Sequence, residues 1–287
     1  MGSGSWSRDT FTSYTTSTRG INTSFDASGA ITSSYSNQDM FKSIQLDEAL
    51  NPKGVTRECK DSEEHPNTIP VILALDVTGS MGEAATEVAK KLNVIMTNLY
   101  DKIEDVEFMI MGIGDYYCDS VPLQVSQFES DIRIAEQLDK VYFEFGGGGN
   151  TYESYTAAWY FGARHCKLDC WDRGKKGIII TMGDERINPY IPADGIKRTI
   201  GDSLQDDINT EELYAEASEK FDIYHLNVRH GRDWDRASII RSWSEVLDDN
   251  HFREVNMDNI ADEIVKIIVN STSNENSDVN TSQGISW

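Results

Sequence analysis

Three oxygen-bearing side chains follow an apolar run at every second position. The run covers residues 71–75, and Asp76, Thr78 and Ser80 come next, with Gly79 between the two hydroxyl residues. Glycine lets the backbone bend tightly, so these side chains can converge. Mg²⁺ prefers oxygen ligands in octahedral geometry, and a carboxylate with two hydroxyls supplies up to half of that shell. The spacing therefore predicts a metal site in this turn.

The apolar run before the turn is typical of a strand that is buried on both faces. It has five consecutive apolar residues and is bounded by Pro70 and by the glycine-containing turn. Such a run fits the central strand of a parallel sheet. Open α/β sheets bind their ligands beyond the carboxyl ends of these strands. We therefore expect the turn to lie at the ligand-binding edge of the sheet.

Helix and strand patterns alternate along the rest of the chain. The apolar spacing predicts helices over 83–100, 130–140, 151–166, 209–220, 234–247 and 260–269. Buried strands are predicted over 106–112, 177–182, 221–228 and 251–255, and a half-exposed strand over 121–125. This alternation predicts an α/β fold, doubly wound, with a mostly parallel sheet and helices on both faces.

Composition argues against several classes of function. The formal net charge of −22 argues against a nucleic-acid binder, because phosphate neutralisation needs basic patches. No apolar run is long enough to span a bilayer, and residues 1–20 lack the apolar core of a signal peptide. We therefore expect a cytoplasmic protein with no membrane partner. The four cysteines are interpreted as free thiols, since Cys166 and Cys170 lack a second pair for zinc.

Composition also divides the chain into four segments. Residues 1–37 are rich in Ser, Thr and Gly and are predicted to be a disordered tail, although their scattered aromatic residues would also suit a docking segment. Residues 38–65 are a charged lead-in with a short helix over 40–50. The main domain is predicted over 66–271. Residues 272–287 return to Ser, Asn and Asp, which predicts a second tail.

The turn resembles the metal-ion-dependent adhesion site of von Willebrand factor A (vWA) domains. That site opens with Asp-x-Ser-x-Ser at the end of the first strand, and Asp76-Val77-Thr78-Gly79-Ser80 fits it with Thr in the second place. The resemblance extends over residues 66–271 in element order. It implies the Rossmann-like vWA fold, in which the strand at 121–125 is an antiparallel edge strand.

The resemblance implies two further metal ligands. In vWA domains a Gly-rich turn carries a Thr of the site, and Thr151 follows the four glycines at 146–149. A third element supplies an Asp just past a strand, usually as Thr-Asp-Gly. Here the order is Thr-Met-Gly-Asp-Glu, so Asp184 is the predicted ligand and Glu185 the alternative. The glycine run lacks the Gly-Lys-Ser/Thr ending of a phosphate-binding loop.

The resemblance implies a protein-binding function. In vWA domains the hydroxyls contact Mg²⁺ directly and the Asp residues often act through water, which leaves a coordination position for a Glu or Asp of a partner. We therefore expect a non-enzymatic adaptor that binds Mg²⁺, with Mn²⁺ and Ca²⁺ as alternatives. Intracellular bacterial and phage-borne vWA proteins commonly work beside MoxR-type AAA+ ATPases. The resemblance alone implies such a partner.

Two other interpretations stay open. In the first, the polar residues of the turn only cap the helix that begins near residue 83. In the second, Asp76, Asp115 and Asp184 hold Mg²⁺ for phosphoryl transfer or hydrolysis on an open α/β fold. Such an enzyme would need a positioned Lys or Arg, and Arg186 is the nearest candidate. Outside that role, Asp115 is interpreted as a rim residue or a solvated loop residue.

Overall fold

A sheet of six strands lies at the centre of the fold. The computed structural model describes residues 4–144, 151–229 and 235–281. Six further strands form three two-stranded sheets. All strands of the described residues, in chain order, are β1 (Arg57–Cys59), β2 (Ile69–Asp76), β3 (Val106–Ile113), β4 (Leu123–Val125), β5 (Tyr152–Glu153), β6 (Cys166–Leu168), β7 (Gly177–Gly183), β8 (Arg186–Ile187), β9 (Tyr190–Ile191), β10 (Ile208–Asn209), β11 (Phe221–Val228) and β12 (Phe252–Val255).

Helices flank this sheet on both faces. They are α1 (Arg8–Arg19), α2 (Asn37–Met40), α3 (Gly82–Tyr100), α4 (Arg133–Leu138), α5 (Thr156–His165), α6 (Asp169–Asp172), α7 (Ala193–Thr199), α8 (Thr210–Lys220), α9 (Arg236–Ser244) and α10 (Ile260–Thr281). Short 3-10 helices cover Glu48–Leu50 and Gly79–Met81. No helix in the described part of the chain is long and apolar enough to cross a membrane.

The central sheet is doubly wound, with the strand order β12-β11-β7-β2-β3-β4. All neighbouring pairs are parallel except β3 and β4, which are antiparallel at one edge. The chain builds outward from β2 to β4 and then returns to β7 on the other side of β2. The strand order therefore reverses between β2 and β7, and ligands bind at such switch points. The predicted α/β fold with one antiparallel edge strand is confirmed.

Alternate residues of β2 face two separate hydrophobic cores. Val71, Leu73 and Leu75 pack in the core that contains α3 and α10. Ile72 and Ala74 pack in the core that contains α5 and α8. All five side chains are at most 1 % exposed. A strand covered on both faces needs apolar residues on both faces, which explains the uninterrupted run in the sequence.

Most predicted elements of the sheet are confirmed. The strands predicted over 106–112, 177–182 and 221–228 match β3, β7 and β11 to within one residue. The strand at 121–125 is β4, but it is fully buried and not half-exposed. On the outer edge of this strand, Val125 O accepts a hydrogen bond from Arg57 Nη2 (3.0 Å).

The N-terminal segment packs on the first core. Phe11 of α1 is 3 % exposed and belongs to the core that includes α3. The Tyr14 hydroxyl donates to Asp139 Oδ2 (2.9 Å), and Arg19 forms an ion pair with the same carboxylate. The prediction of a disordered tail over 1–37 is therefore wrong from residue 4 onward. The scattered aromatic residues cover apolar surface of the domain, as in the docking alternative.

Two other segment predictions are wrong. The helix predicted over 40–50 is replaced by α2, which ends at Met40, and by the 3-10 helix Glu48–Leu50. Ser36 is the N-cap of α2 and forms a capping box with Asp39, which starts the helix earlier than predicted. At the other end, α10 continues through residues 272–281, where a tail was predicted. Residues 282–287 lie outside the described residues.

The docked N-terminal segment leads to a stability prediction. We expect Phe11→Ala to lower the free energy of unfolding by about 3 kcal/mol, because it empties a buried aromatic site. Urea unfolding followed by tryptophan fluorescence measures this change. Ile21→Ala is the matched control, since Ile21 is 89 % exposed and its truncation should change stability by less than about 0.5 kcal/mol. Equal stability of the wild type and Phe11→Ala would mean that α1 is not docked in solution.

Candidate metal centre

Two carboxylates lie at the switch point of the sheet. Asp76 is the last residue of β2, and Asp184 directly follows β7, the parallel neighbour of β2. Asp76 is fully buried and Asp184 is 5 % exposed. Ser80, in the turn after β2, donates from Oγ to Asp184 Oδ1 (3.1 Å). The structure thus brings together three of the predicted ligands from two distant parts of the chain.

Hydrogen bonds hold the Asp76 carboxylate in one orientation. Oδ1 accepts from Thr78 N (2.9 Å) and from Thr78 Oγ1 (2.6 Å), which closes a tight turn of the Asx type. Oδ2 accepts from the Tyr155 hydroxyl (3.1 Å). Tyr155 Oη in turn accepts from Glu185 N (3.3 Å). One phenol therefore links the end of β2 to the loop after β7.

Gly183 leaves the space that Tyr155 needs. A Cβ atom at position 183 would lie 1.9 Å from Tyr155 Oη, so a larger residue there would displace the hydroxyl from Asp76. Asp184 follows this glycine directly, so the position that admits Tyr155 is next to the predicted acid ligand.

Burial and neighbouring negative charge disfavour the ionised form of the carboxyl groups at this end of the sheet. Burial, followed by the charge of Asp184, raises the pKa of Asp76 to about 7, although hydrogen bonds from Thr78 and Tyr155 oppose the rise. Glu153 is 8 % exposed, and its burial together with the charge of Asp76 raises its pKa to about 11. A divalent cation at this edge would favour the ionised form of these carboxyl groups, because it would offset the cost of their negative charge.

The donor atoms fit a hard cation. Thr78 and Ser80 give their hydroxyl protons to carboxylates, so the lone pairs of both hydroxyl oxygens remain as donors for a cation. Within residues 4–144, 151–229 and 235–281, no three His, Cys, Asp or Glu side chains form a metal-binding group. A cation at the switch point would therefore depend on hydroxyl ligands and not on a cage of carboxylates.

Thr151 has a different partner from the other predicted ligands. Its Oγ1 accepts a hydrogen bond from Arg186 Nη2 (2.7 Å). The Arg186 guanidinium lies over the ring of Tyr152, 5.0 Å from its centroid. This contact leaves the Thr151 hydroxyl with its own proton and one lone pair. Its role as a metal ligand stays a prediction.

The chain that leads into the glycine run reaches the turn after β2. Glu144 N donates to Val77 O (3.0 Å), so residue 144 lies beside the Asp76–Ser80 turn. The Glu144 carboxylate accepts from the backbone and hydroxyl of Ser120. The glycines at 146–149 lie outside the described residues.

Three residues of this edge differ from the sequence interpretation. Asp115 is 1 % exposed and accepts from Ser154 Oγ (3.1 Å), so it is not a solvated loop residue. Tyr155 falls within the helix predicted over 151–166, where an aromatic residue at helical spacing indicates core and not a contact with the site. Glu153 carries no sequence prediction, and its only signal is its position two residues after Thr151.

An aromatic cluster packs behind Tyr155. The ring of His225, on β11, lies 4.9 Å from that of Tyr155 and stacks on Trp243 with centroids 3.6 Å apart. Thr181 Oγ1 lies 2.9 Å from His225 Nδ1 and 3.2 Å from Tyr224 O. His225 Nε2 is buried without a hydrogen-bond partner among the described residues. Burial lowers the pKa of His225 well below its ordinary value.

Comparisons with known proteins give fold-level similarity. The chain matches no family model and no curated protein. It is similar to the pilus adhesin SpaC from Lactobacillus rhamnosus GG in its open conformation, with a TM-score of 0.47, 14 % identity, and coverage of 76 % of this chain and 31 % of SpaC. It is also similar to the vWF domain of the type V pili tip protein Mfa5 from Porphyromonas gingivalis, with a TM-score of 0.44, 12 % identity, and coverage of 70 % and 95 %. This chain thus spans less than a third of SpaC.

The charge repulsion at the switch point predicts a gain in stability on neutralisation. In EDTA at pH 8, we expect Asp76→Asn to raise the free energy of unfolding by on the order of 1 kcal/mol, because the amide removes a buried charge and keeps the bonds from Thr78. Chemical unfolding of both proteins measures the change. Asp101→Asn, an exposed position at the opposite end of α3, is the control. A loss of stability in Asp76→Asn would contradict this electrostatic account.

The buried neutral imidazole of His225 predicts a pH dependence of stability. Below pH 6.5 the unfolded chain binds a proton at this residue and the folded protein does not, so the free energy of unfolding falls as the pH falls. In His225→Phe this contribution is absent. We therefore expect the loss of stability between pH 7 and pH 5 to be about 2 kcal/mol smaller in the variant than in the wild type. Urea unfolding at several pH values measures this difference. An equal loss of stability in the two proteins would show that His225 takes up a proton in the folded state as it does in the unfolded chain.

Proposed function

We propose that this protein is a vWA-like adaptor that binds a protein partner through a divalent cation. The hydrogen bond from Ser80 Oγ to Asp184 carries the proposal, because it joins the turn after β2 to the loop after β7 at the switch point. Asp76 is held beside this contact by Thr78 and Tyr155. The arrangement combines hydroxyl donors with two carboxylates, as the adhesion site of vWA domains does.

Each predicted ligand has a role in the proposal. Ser80 and Thr78 would give hydroxyl oxygens to Mg²⁺, and Thr151 would approach from the end of the glycine run. Asp76 and Asp184 would balance the charge of the ion. Bound Mg²⁺, or Mn²⁺ or Ca²⁺ in its place, would offer a coordination position to a Glu or Asp of the partner.

The charge of the chain supports a bridging cation. A protein with a formal net charge of −22 repels an acidic partner. The buried carboxylates at the switch point add to this repulsion locally. A divalent cation would reverse the sign of the local field, so that an acidic side chain could bind there. Partner binding would therefore require the metal.

A second candidate function is phosphoryl transfer or hydrolysis. The contact of Arg186 with Thr151 favours it, because it places a guanidinium at the same edge of the sheet. Hydrolysis of p-nitrophenyl phosphate with Mg²⁺, in the wild type and in Arg186→Gln, discriminates the two functions. An adaptor gives no turnover in either protein. A MoxR-type AAA+ ATPase partner is a part of the adaptor proposal that comes from the family resemblance alone. A cytoplasmic location is a further part of it, and it comes from the sequence pattern of the chain.

Calorimetric titration tests the metal site. We expect the wild type to bind Mg²⁺ and Mn²⁺, Ser80→Ala to bind at least about tenfold more weakly, and Asp76→Asn to lose binding. Asp101→Asn, at the far end of α3 from the turn, should bind Mg²⁺ and Mn²⁺ like the wild type. The titrations are repeated with excess acetate, which supplies the carboxylate that a partner would bring. No binding in either condition, or wild-type binding by Asp76→Asn, would overturn the proposed site.

The adaptor function needs its own test. Proteins captured on the immobilised wild type with Mg²⁺, and released by EDTA, are compared with those captured on Ser80→Ala. The proposal expects a partner that is lost with Ser80→Ala and whose binding is abolished when one of its own Glu or Asp residues is replaced by Gln or Asn. A partner that binds equally well in EDTA would contradict a metal-bridged contact.

A further inference from the structure

A buried arginine without a carboxylate partner lies outside the metal centre. Arg57, on β1, is 7 % exposed. Its Nη2 donates to Ala49 O (2.9 Å) and Val125 O (3.0 Å), and its Nε is buried with no hydrogen-bond partner among the described residues. Burial lowers the pKa of Arg57, and no described carboxylate forms an ion pair with it. A buried guanidinium in this state lacks the counter-charge that normally offsets its desolvation.

Most half-buried arginines of the described residues are paired with carboxylates. Arg19 contacts Asp139, Arg133 contacts Glu129 and Arg253 contacts Glu263, whereas Arg186 contacts the Thr151 hydroxyl. Pairing is easily achieved in a chain with 48 acidic and 26 basic residues. Among the described arginines Arg57 alone is buried, and it has no carboxylate partner.

Arg57 lines a cavity of about 350 Å³ at the β4 edge of the sheet. This volume lies in the range of small-molecule sites. Lys53 and Lys140 also line the cavity, and both are exposed and outside the ion pairs of the described residues. Three cations without ion pairs thus surround one cavity of a strongly acidic protein. The backbone contacts of Arg57 hold its guanidinium in place, which preorganises it for an anion.

Acidic residues restrict which anions fit. Glu48, Glu129 and Glu136 line the same cavity. Glu129 is engaged by Arg133 (3.0 Å), and the other two are exposed. These carboxylates would repel a multiply charged anion such as phosphate. They would accept hydrogen bonds from a ligand whose carboxylate is accompanied by N–H groups.

We propose that this cavity binds an α-carboxylate with a neighbouring N–H group, as found in a free amino acid and at the C-terminus of a polypeptide. The carboxylate accepts from Arg57 Nη1, the terminal nitrogen that makes no backbone contact, and Lys53 and Lys140 attract it. The N–H group bonds to the acidic side of the cavity. The site is separate from the switch point and does not depend on a metal.

Nuclear magnetic resonance of arginine side chains tests the site directly. The Nε–H signal of Arg57 is assigned from its absence in Arg57→Lys. The wild type is titrated with L-alanine, with N-acetyl-Ala-Ala, with the C-terminal amide of that dipeptide, and with inorganic phosphate at constant ionic strength. We expect saturable movement of the Arg57 signal with L-alanine or the acetylated dipeptide and none with the amide. Movement with L-alanine indicates a free amino acid, and movement with the dipeptide alone indicates a polypeptide C-terminus.

Variants separate recognition from folding. Arg57→Lys should bind at least about tenfold more weakly, because one ammonium group cannot keep both backbone contacts and also donate to the ligand. Lys53→Ala, an exposed substitution, reports on the site even if Arg57→Lys unfolds, and it should weaken binding several-fold. Lys102→Ala, an exposed lysine at the end of α3, should bind like the wild type. No saturable movement by about 10 mM ligand, equal movement with the amide, or tighter binding of phosphate would overturn the proposal.

Discussion

Burial of β2 on both faces is the constraint on which the rest of the structure depends. Helices α3 and α10 cover one face and α5 and α8 the other. Polar side chains are therefore placed where the strand ends, and Asp76 occupies its last position. Because the strand order reverses beside β2, the loop after β7 lies next to that end. Packing of the core and placement of the candidate metal centre thus have the same cause.

In the candidate metal centre, the carboxylates that would attract a cation are costly to bury. Without a cation, the edge of the sheet combines buried carboxylates whose pKa values rise because burial and neighbouring charges disfavour ionisation. Hydrogen bonds from Thr78 and Tyr155 offset part of that cost. A site with this balance would bind a divalent cation strongly because the cation removes repulsion as well as filling ligand positions. The aromatic cluster of His225 and Trp243 supports Tyr155 from behind, and so fixes the Asp76 carboxylate indirectly.

The segment before β2 does more than cover the surface of the domain. α1 adds Phe11 to the first core, and Arg57 ties the 3-10 helix at 48–50 to the edge strand β4. That edge would otherwise present unpaired backbone groups, which invites association with other strands. The same arginine forms the wall of a cavity that is distant from the switch point in the strand order. One segment thus protects the sheet and creates a second candidate binding site.

The sequence by itself determined the central sheet and the residues of the first turn. The apolar run at 71–75 and the spacing of Asp76, Thr78 and Ser80 are local patterns. An uninterrupted apolar run of this length is typical of a strand that is buried on both faces. The tertiary structure alone decided that α1 packs on the core, because Ser and Thr-rich composition hides the few aromatic residues that contact it. It also decided the role of Tyr155 and of Gly183, since their contact joins residues that are far apart in the chain and has no local signal. The unpaired state of Arg57 is likewise a long-range property, because it depends on which carboxylates the fold brings near and which it keeps away.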